Sequence, residues 1–308
     1  MNLQQLEYIL AVDSLRHFAK AAEHCKVTQP TLSAMIQKLE EELKIKIFDR
    51  STQPVRPTEV GKRILRQARI VIHESSLIKD IVQEETKNIE GKFRIAVLPT
   101  IAPYLLPRFF SKVVEQHPKL DLQVIEMKTP QCLSAILSGG VEAAILATST
   151  NDKDLLSQPL FYEQFFAYVS RKEPAFKNEL VKTSDINGKR LWLLGEGHCF
   201  RDQLIRFCQL ESTQNSRNAY RLGSMETFMR MVEGGEGITF IPELAVMQLS
   251  SEQKQLVRPF AIPRPVRRID MVTRKDFVRH SILDLLSNYI KESVPTTMWS
   301  LQHGQKTV

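Results

Sequence analysis

The sequence predicts a small all-α N-terminal domain with a short β-wing, a long linker helix, and a larger C-terminal α/β domain of two lobes. Three observations predict it. Apolar residues recur at helical spacing over roughly the first 43 positions, a heptad pattern follows, and from Gly91 onward short apolar strands alternate with amphipathic helices. Because 308 residues exceed a typical single domain, we expect domains at 1–58, 59–91 and 92–308.

Three short helices are predicted at the N-terminus. The first carries apolar residues from Leu3 to Leu10, and the second covers about Phe18 to His24. Thr28 is a good N-cap for the third, and Pro30 falls in its first turn, where a missing N–H costs little. One face of this third helix is apolar, with Leu32, Met35, Ile36, Leu39 and Leu43.

The opposite face of the third helix is small and polar, which is typical of a helix that enters the major groove of DNA. Ile45 and Ile47 alternate with lysines, and turn residues with two arginines follow, as in a short β-wing. The alternative is a three-helix bundle with a solvated polar face. Candidate DNA-binding residues are Thr28, Gln29, Pro30, Thr31, Ser33, Ala34, Gln37, Lys38, Arg50 and Arg56.

A heptad seam follows the wing. Thr58 caps a helix in which seam positions from Ile64 to Ile89 are spaced alternately by four and three residues, with polar interruptions at Ser75 and Glu85. The pattern predicts a helix of about 32 residues, roughly 48 Å long. A long amphipathic helix beside a small domain indicates a dimerisation linker.

The C-terminal region alternates strands with helices, which predicts parallel sheets and a ligand cleft at the carboxyl ends of the strands. Among the expected strands are Phe165–Ser170, Arg190–Leu194 and Ala219–Leu222. We expect lobe I at about 92–162 and 268–308, and lobe II at about 163–267.

Composition excludes several classes of protein. The net charge is +7, yet residues 1–91 hold 14 Lys and Arg against 13 Asp and Glu, so charge alone does not indicate DNA binding. No signal peptide, membrane span or Cys/His metal spacing is present, and we expect a cytoplasmic protein without metal or cofactor. Four cysteines are too few for a disulfide framework.

Two of the cysteines lie in the segment GEGHCFRDQLIRFC. Cys199 stands between His198 and Arg201, near the start of a helix predicted at Phe200–Leu210, and these neighbours favour a reactive thiolate. Cys208 is on the apolar side of that helix. Nine residues of helix rise about 13.5 Å, whereas a disulfide needs Cα atoms within roughly 7 Å. A Cys199–Cys208 bond therefore requires unwinding; alternatively both are ordinary packing residues, as we expect for Cys25 and Cys132.

Several segments carry a family resemblance. LQQLEYILAV, HFAKAAEHCKVTQPTLSAMIQKLEEEL, FDR and PTEVGKRIL, in this order, resemble the winged helix-turn-helix of LysR-type transcriptional regulators over residues 1–65. The resemblance implies an N-terminal winged helix-turn-helix, a dimerising linker helix and a two-lobed periplasmic-binding-protein-like effector domain. It also implies a homotetramer built as a dimer of dimers, with double-stranded DNA and RNA polymerase as partners.

A second set of segments resembles the hydrogen-peroxide-sensing members of this family: LPTIAPYLLP, LFYE, HCFRDQ with the next cysteine nine residues on, SMETFMRMVEGGEGITFIP and PVRRI. The resemblance implies that Cys199 is the peroxidatic cysteine and Cys208 the resolving one, reset by a thiol reductant. It implies a peroxide pocket of Thr100, Thr129, His198 and Arg267, with Asp202 nearby and Arg268 as a competitor for Arg267. Alternatives are a regulator that binds a small organic ligand, or a thiol peroxidase.

Overall fold

The computed structural model describes residues 1–148, 150, 152–186, 188–195, 199–209 and 224–308. They form two compact units, Met1–Lys87 with Ser138–Gly140, and Asn88–Leu137 with Val141–Val308. The predicted strand Ala219–Leu222 and the predicted site residue His198 lie outside the described residues.

The first unit begins with the three expected helices, α1 (Leu3–Leu15), α2 (Phe18–His24) and α3 (Gln29–Leu43). Asn2 caps α1 through a capping box. The Thr28 hydroxyl caps α3 by accepting from the Thr31 amide. The three helices share a buried apolar core, which includes Leu6, Ile9, Val12, Leu32, Ile36 and Leu39.

The wing is a pair of two-residue antiparallel strands, β1 (Phe48–Asp49) and β2 (Arg56–Pro57). A buried carboxylate on α3 holds its base: Glu40, 2 % exposed, accepts from the Ile47 amide at 2.7 Å and the Phe48 amide at 3.2 Å. Hydrogen bonds from the wing to Glu40 therefore join the wing to α3.

The long helix α4 (Glu59–Glu85) begins at the predicted Thr58 cap but ends four residues before Ile89. The Thr86 hydroxyl bonds the carbonyls of Val82 and Gln83, and Lys87 takes a positive φ of 50°, which stops the helix. The predicted end of this helix was therefore wrong.

The heptad seam of α4 divides into two parts. Its first members, Ile64, Ala68 and Val71, pack into the winged-helix core, whereas Ile78 and Val82 are 68 % and 61 % exposed. Among the described seam residues, Ile78 and Val82 are therefore the large apolar ones that stay exposed in the single chain. None of the helices in the described part of the chain is long and apolar enough to cross a membrane.

The second unit is built on a mixed sheet in the order β4-β3-β5-β9-β6-β7, with β10 beside β9 and β8 beside β6. The described strands are β3 (Gly91–Val97), β4 (Leu120–Glu126), β5 (Ala143–Leu146), β6 (Leu155–Val169), β7 (Ile238–Pro242), β8 (Val257–Pro259), β9 (Arg264–Arg274) and β10 (Gln305–Thr307). The described helices of this unit are α5 (Ala102–Gln116), α6 (Thr129–Leu137), α7 (Cys199–Phe207), α8 (Met225–Gly234), α9 (Glu243–Val246), α10 (Ser251–Lys254) and α11 (His280–Ser293).

The sheet corrects the expectation of parallel strands. β3, β4 and β5 are parallel, but β9 runs antiparallel to both β5 and β6, and β7 and β8 run antiparallel to β6. The predicted strand Arg190–Leu194 is a 3₁₀ turn at Gly188–Arg190 with a single bridge from Leu191 to Ile238.

The two lobes share the long strands β6 and β9. The first half of β6 and most of β9 extend the sheet of β3, β4 and β5, whereas the second half of β6 pairs with β7 and β8. Glu163 pairs with Arg267 in the register of β6 and β9, next to Tyr162 with Arg268. The predicted lobe boundaries fall between these two pairs and stay a prediction.

Candidate functional site

The polar face of α3 is exposed. Ser33 is half-buried, and the other predicted DNA-binding residues are exposed: Thr28, Gln29, Pro30, Thr31, Ala34, Gln37, Lys38, Arg50 and Arg56. The Thr28 and Thr31 hydroxyls lie 2.8 Å apart, and the Gln37 amide donates to the Glu41 carboxylate at 2.9 Å. The polar groups of these residues are therefore arranged on the exposed surface of α3.

Arg50 is oriented by the helices rather than extended into solvent. Its guanidinium donates to the Ser33 hydroxyl at 3.1 Å, pairs with Glu40 at 3.4 Å and lies 4.9 Å from the centre of the Phe18 ring. Arg50, which was predicted as a residue of the wing, therefore also contributes to the surface of α3.

An open groove of about 690 Å³ lies between the wing and the starts of α2 and α3. Besides Arg50, its lining includes Arg16, His17 and Lys20, which the sequence analysis did not single out. They are neighbours at the junction of α1 and α2, and only the fold places them beside Arg50. A groove of this charge suits a phosphate backbone.

In the second unit, α7 begins at Cys199, and Cys208 lies just past its end. The Cys208 amide still donates to the Leu204 carbonyl at 2.9 Å, so the helical geometry extends through both cysteines. Both thiols are free; Cys199 is half-buried and Cys208 is buried. Burial raises the pKa of the Cys208 thiol to about 12.

Arg267 is fully buried and joins both lobes. It pairs with Glu163 at 2.7 Å, and it donates to the Thr100 hydroxyl at 3.0 Å and the Thr100 carbonyl at 2.9 Å. Its guanidinium lies 5.3 Å from the centre of the Phe200 ring, and Phe200 is the neighbour of Cys199 on α7. Arg268 instead is partly exposed and binds Asp270.

Thr129 is the first residue of α6, and its buried hydroxyl oxygen has no hydrogen-bond partner among the residues that the structure describes. On the same helix, burial raises the pKa of Cys132 to about 12, and the nearby Cys199 thiol contributes to the rise. The N-terminal turns of α6 and α7 therefore lie within electrostatic reach of each other. Asp202 is exposed on α7.

Two residues of this region escaped the sequence analysis. Glu163 is 1 % exposed, neutralises Arg267 and accepts from the Leu244 amide at 3.1 Å. Gln203, 3 % exposed, lies one turn after Cys199, and its amide donates to the main-chain oxygens of Ala147 and Val308. A polar side chain on the apolar face of the predicted helix, four residues after Cys199, could have indicated that Gln203 has a specific partner.

The remaining cysteines have packing environments. Cys132 is fully buried and donates to the Met127 carbonyl at 3.4 Å, and Cys25 is half-buried at the turn after α2, where burial and Glu7 raise its pKa. Within the described residues, no group of three or more His, Cys, Asp or Glu side chains is arranged to hold a metal ion.

Comparison with protein families defines the class of protein. Residues 3–62 match the family of bacterial regulatory helix-turn-helix proteins of the lysR type, and residues 86–295 match the LysR substrate binding domain. The chain belongs to the LysR family of transcriptional regulators, which confirms the predicted fold and family.

Two individual relatives carry more specific names than the family does. A hydrogen peroxide-inducible genes activator of Dickeya chrysanthemi is 34 % identical over 301 residues, 98 % of each chain. The DNA-binding transcriptional dual regulator OxyR of Escherichia coli K12 is 34 % identical over 291 residues, 94 % of this chain and 95 % of that protein.

Solved structures of OxyR proteins are also similar to this chain. A full-length cysteine-to-aspartate variant of OxyR from Pseudomonas aeruginosa is 32 % identical and superposes with a TM-score of 0.78, over 94 % of this chain and 98 % of that one. The reduced OxyR of Porphyromonas gingivalis is 49 % identical with a TM-score of 0.65, over 70 % of this chain and 100 % of that one.

Proposed function

We propose that this regulator senses hydrogen peroxide through a reversible Cys199–Cys208 disulfide and thereby controls genes of the oxidative-stress response. The observation that carries the proposal is the pair itself. One half-buried cysteine starts α7 and one buried cysteine follows its end, in a chain similar over its length to peroxide-inducible activators.

The chemistry balances with peroxide as the only oxidant. The Cys199 thiolate attacks one peroxide oxygen, the O–O bond breaks, and a sulfenic acid forms while the other oxygen leaves as water after protonation. The Cys208 sulfur then displaces the sulfenic hydroxyl as a second water, which forms the S–S bond. A thiol reductant restores both thiols by exchange.

Cys208 is inert in the reduced fold. Burial raises the pKa of Cys208 to about 12, so the side chain is a thiol at pH 7, whereas the thiolate is the attacking form. The helix between the two cysteines also keeps them about 13.5 Å apart along its axis. Sulfenic acid at Cys199 therefore reacts with Cys208 only when α7 opens, which makes the disulfide state a distinct conformation.

The peroxide pocket that we assign consists of Thr100, Thr129, His198 and Arg267, with Asp202 as a polar neighbour. Arg267 holds a fixed guanidinium near Phe200, paired with Glu163, and Thr100 is already bonded to it. The buried Thr129 hydroxyl, which has no partner among the described residues, is available to a small polar ligand. Arg267, rather than Arg268, has the buried position that this role needs.

In this proposal the output surface is the exposed face of α3 with the wing. Gln37, Lys38 and the residues around the Thr28 cap contact bases and phosphates in the major groove, while Arg56 and the basic groove contact the flanking backbone. The exposed end of the α4 seam mediates dimerisation within a cytoplasmic homotetramer that acts with RNA polymerase. Each signal oxidises the protein once, so it acts as a switch and not as an enzyme.

Mass spectrometry after one equivalent of peroxide tests the proposal. Wild type should form the Cys199–Cys208 disulfide, Cys208→Ser should stop at sulfenic acid, and Cys199→Ser should do neither while still binding DNA. Cys132→Ser is the matched control and should react as wild type does.

Two results contradict the proposal. A Cys199→Ser protein that still changes its DNA footprint with peroxide would indicate another sensor, such as a ligand cleft. Continuous consumption of peroxide with a thiol reductant at enzymatic turnover would favour a thiol peroxidase.

A further inference from the structure

The redox helix α7 is attached to the rest of its unit through Gln203. The Gln203 amide nitrogen donates to the Ala147 carbonyl at 2.8 Å and to the main-chain oxygen of Val308 at 3.2 Å, and the side chain is buried. One of these oxygens follows β5, and the other belongs to the C-terminal segment. Both amide hydrogens of Gln203 are therefore used to fix the position of α7.

The C-terminal segment is itself anchored on β9. β10 pairs in parallel with β9, with Gln305 opposite Arg264 and Thr307 opposite Val266, and the Val308 amide donates to the Val266 carbonyl at 3.1 Å. The segment enters this pairing from Gly304, whose φ of +78° favours glycine. A Cβ there would also meet the Ile262 side chain at 3.2 Å.

Docking of this segment and closure of α7 are energetically linked. A buried amide hydrogen that loses its acceptor keeps the cost of its desolvation. When the C-terminal segment leaves β9, Gln203 loses one acceptor, and when α7 opens, Val308 loses its donor. By reciprocity, each event makes the other easier by the same factor.

We propose that β10 is a clasp that positions α7 in its reduced conformation through the contact of Gln203 with Val308. The clasp rests on the proposed function, since it opposes the opening of α7 that disulfide formation requires. The clasp therefore slows the conversion of the Cys199 sulfenic acid to the Cys199–Cys208 disulfide. Formation of the disulfide in turn weakens the docking of the C-terminal segment on β9.

Deletion of Thr307 and Val308 tests the clasp by amide hydrogen exchange in the reduced protein. We expect exchange in peptides covering 199–209 to become about 5- to 30-fold faster, the effect of losing one or two hydrogen bonds. Exchange in β3 should be unchanged. Lys306→Ala is the matched control because it removes an exposed side chain and keeps the backbone pairing.

Comparing the deletion in two backgrounds separates loss of the clasp from a general loss of stability in the second unit. Gln203→Met has a similar volume and no amide, so it should accelerate exchange in α7 with the C-terminal segment intact. In the Gln203→Met background the deletion should have no further effect on α7. Equal acceleration by the deletion in both backgrounds would overturn the proposal. If the shortened chain does not fold, Gly304→Val replaces the deletion, because it strains the turn that leads into β10 and leaves the contact of Gln203 with Ala147 in place.

A peroxide experiment distinguishes failure of the clasp from failure of the proposed sensor function. After one equivalent of peroxide, the deletion should speed the conversion of sulfenic acid to disulfide by a similar factor and leave sulfenic acid formation unchanged. Unchanged conversion would reject the clasp and leave the sensor intact. Absence of any disulfide in wild type would reject the sensor, while the exchange experiment would still decide the clasp.

Discussion

At the scale of single residues, the recognition helix depends on one buried carboxylate. Glu40 accepts from two backbone amides at the base of the wing and lies 3.6 Å from Lys46 and 3.4 Å from Arg50. These bonds satisfy amides that the two-residue strands leave unpaired. The wing is therefore held by a side chain of α3 as well as by its own pairing.

Replacement of Glu40 by alanine should cost about 3 kcal/mol, because two buried amides lose a charged acceptor. We expect this loss in the opening free energy of α3, measured by amide exchange in the full chain, together with weaker DNA binding. Glu41→Ala is the control, since Glu41 is exposed and accepts only from Gln37 among the contacts described for it. Equal effects of the two substitutions would contradict this role.

The buried thiol of Cys208 links stability to pH. Its pKa is about 12 in the fold and about 8.5 in an unfolded chain. Its stabilising contribution is therefore complete below about pH 8.5 and is lost progressively as the pH rises toward 12.

Wild type should accordingly lose more stability between pH 7 and pH 10 than Cys208→Ala does, by about 2 kcal/mol. Urea titrations followed by tryptophan fluorescence report this, because Trp192 and Trp299 both lie in the second unit. Parallel pH profiles of the two proteins would show that Cys208 is not buried as described.

The sequence predicted the individual cysteines and Thr100, but not the ion pair of Glu163 with Arg267. The two residues are 104 positions apart and meet only through the register of two antiparallel strands. That register also buries Arg267 and leaves Arg268 partly exposed, since neighbours on a strand point to opposite faces. Adjacent arginines are equivalent in the sequence until the face of the strand is known.

At the scale of elements, helices were predicted better than strands. Caps and apolar periodicity set the starts of α1, α3 and α4. Strands β6 and β9 were missed or shortened because they cross both lobes: Pro159 lies at a register shift in β6, and proline with charged residues begins β9. Their polar residues are buried by pairing with each other, which a pattern of alternating polarity does not reveal.

The end of α4 was mispredicted for a related reason. The heptad spacing continues to Ile89, but Ile89 packs against the core of the second unit and not along a helix. A periodic pattern records which residues are apolar, and not which core buries them. The same ambiguity explains why Ile64 and Val71 contact the winged helix while Ile78 and Val82 remain exposed.

At the scale of the whole molecule, the exposed end of α4 is the surface that association would bury. Ile78, Ile81 and Val82 are each at least half exposed and lie within about one turn of each other on the helix. An apolar stripe of this kind is costly in water and is removed by pairing with a second copy.

The combined substitutions Ile78→Glu and Val82→Glu should therefore shift the protein toward monomers, because burying two carboxylates in an apolar seam opposes association. Sedimentation velocity at micromolar concentration measures the shift, and Lys79→Ala, at an exposed polar position of the same turn, is the control. The variant should still form the Cys199–Cys208 disulfide with peroxide at the wild-type rate, yet bind paired half-sites at least 10-fold more weakly, since one winged helix contacts only one half-site. Unchanged sedimentation would show that subunits associate elsewhere, and tight DNA binding by a monomeric variant would show that the response does not depend on assembly.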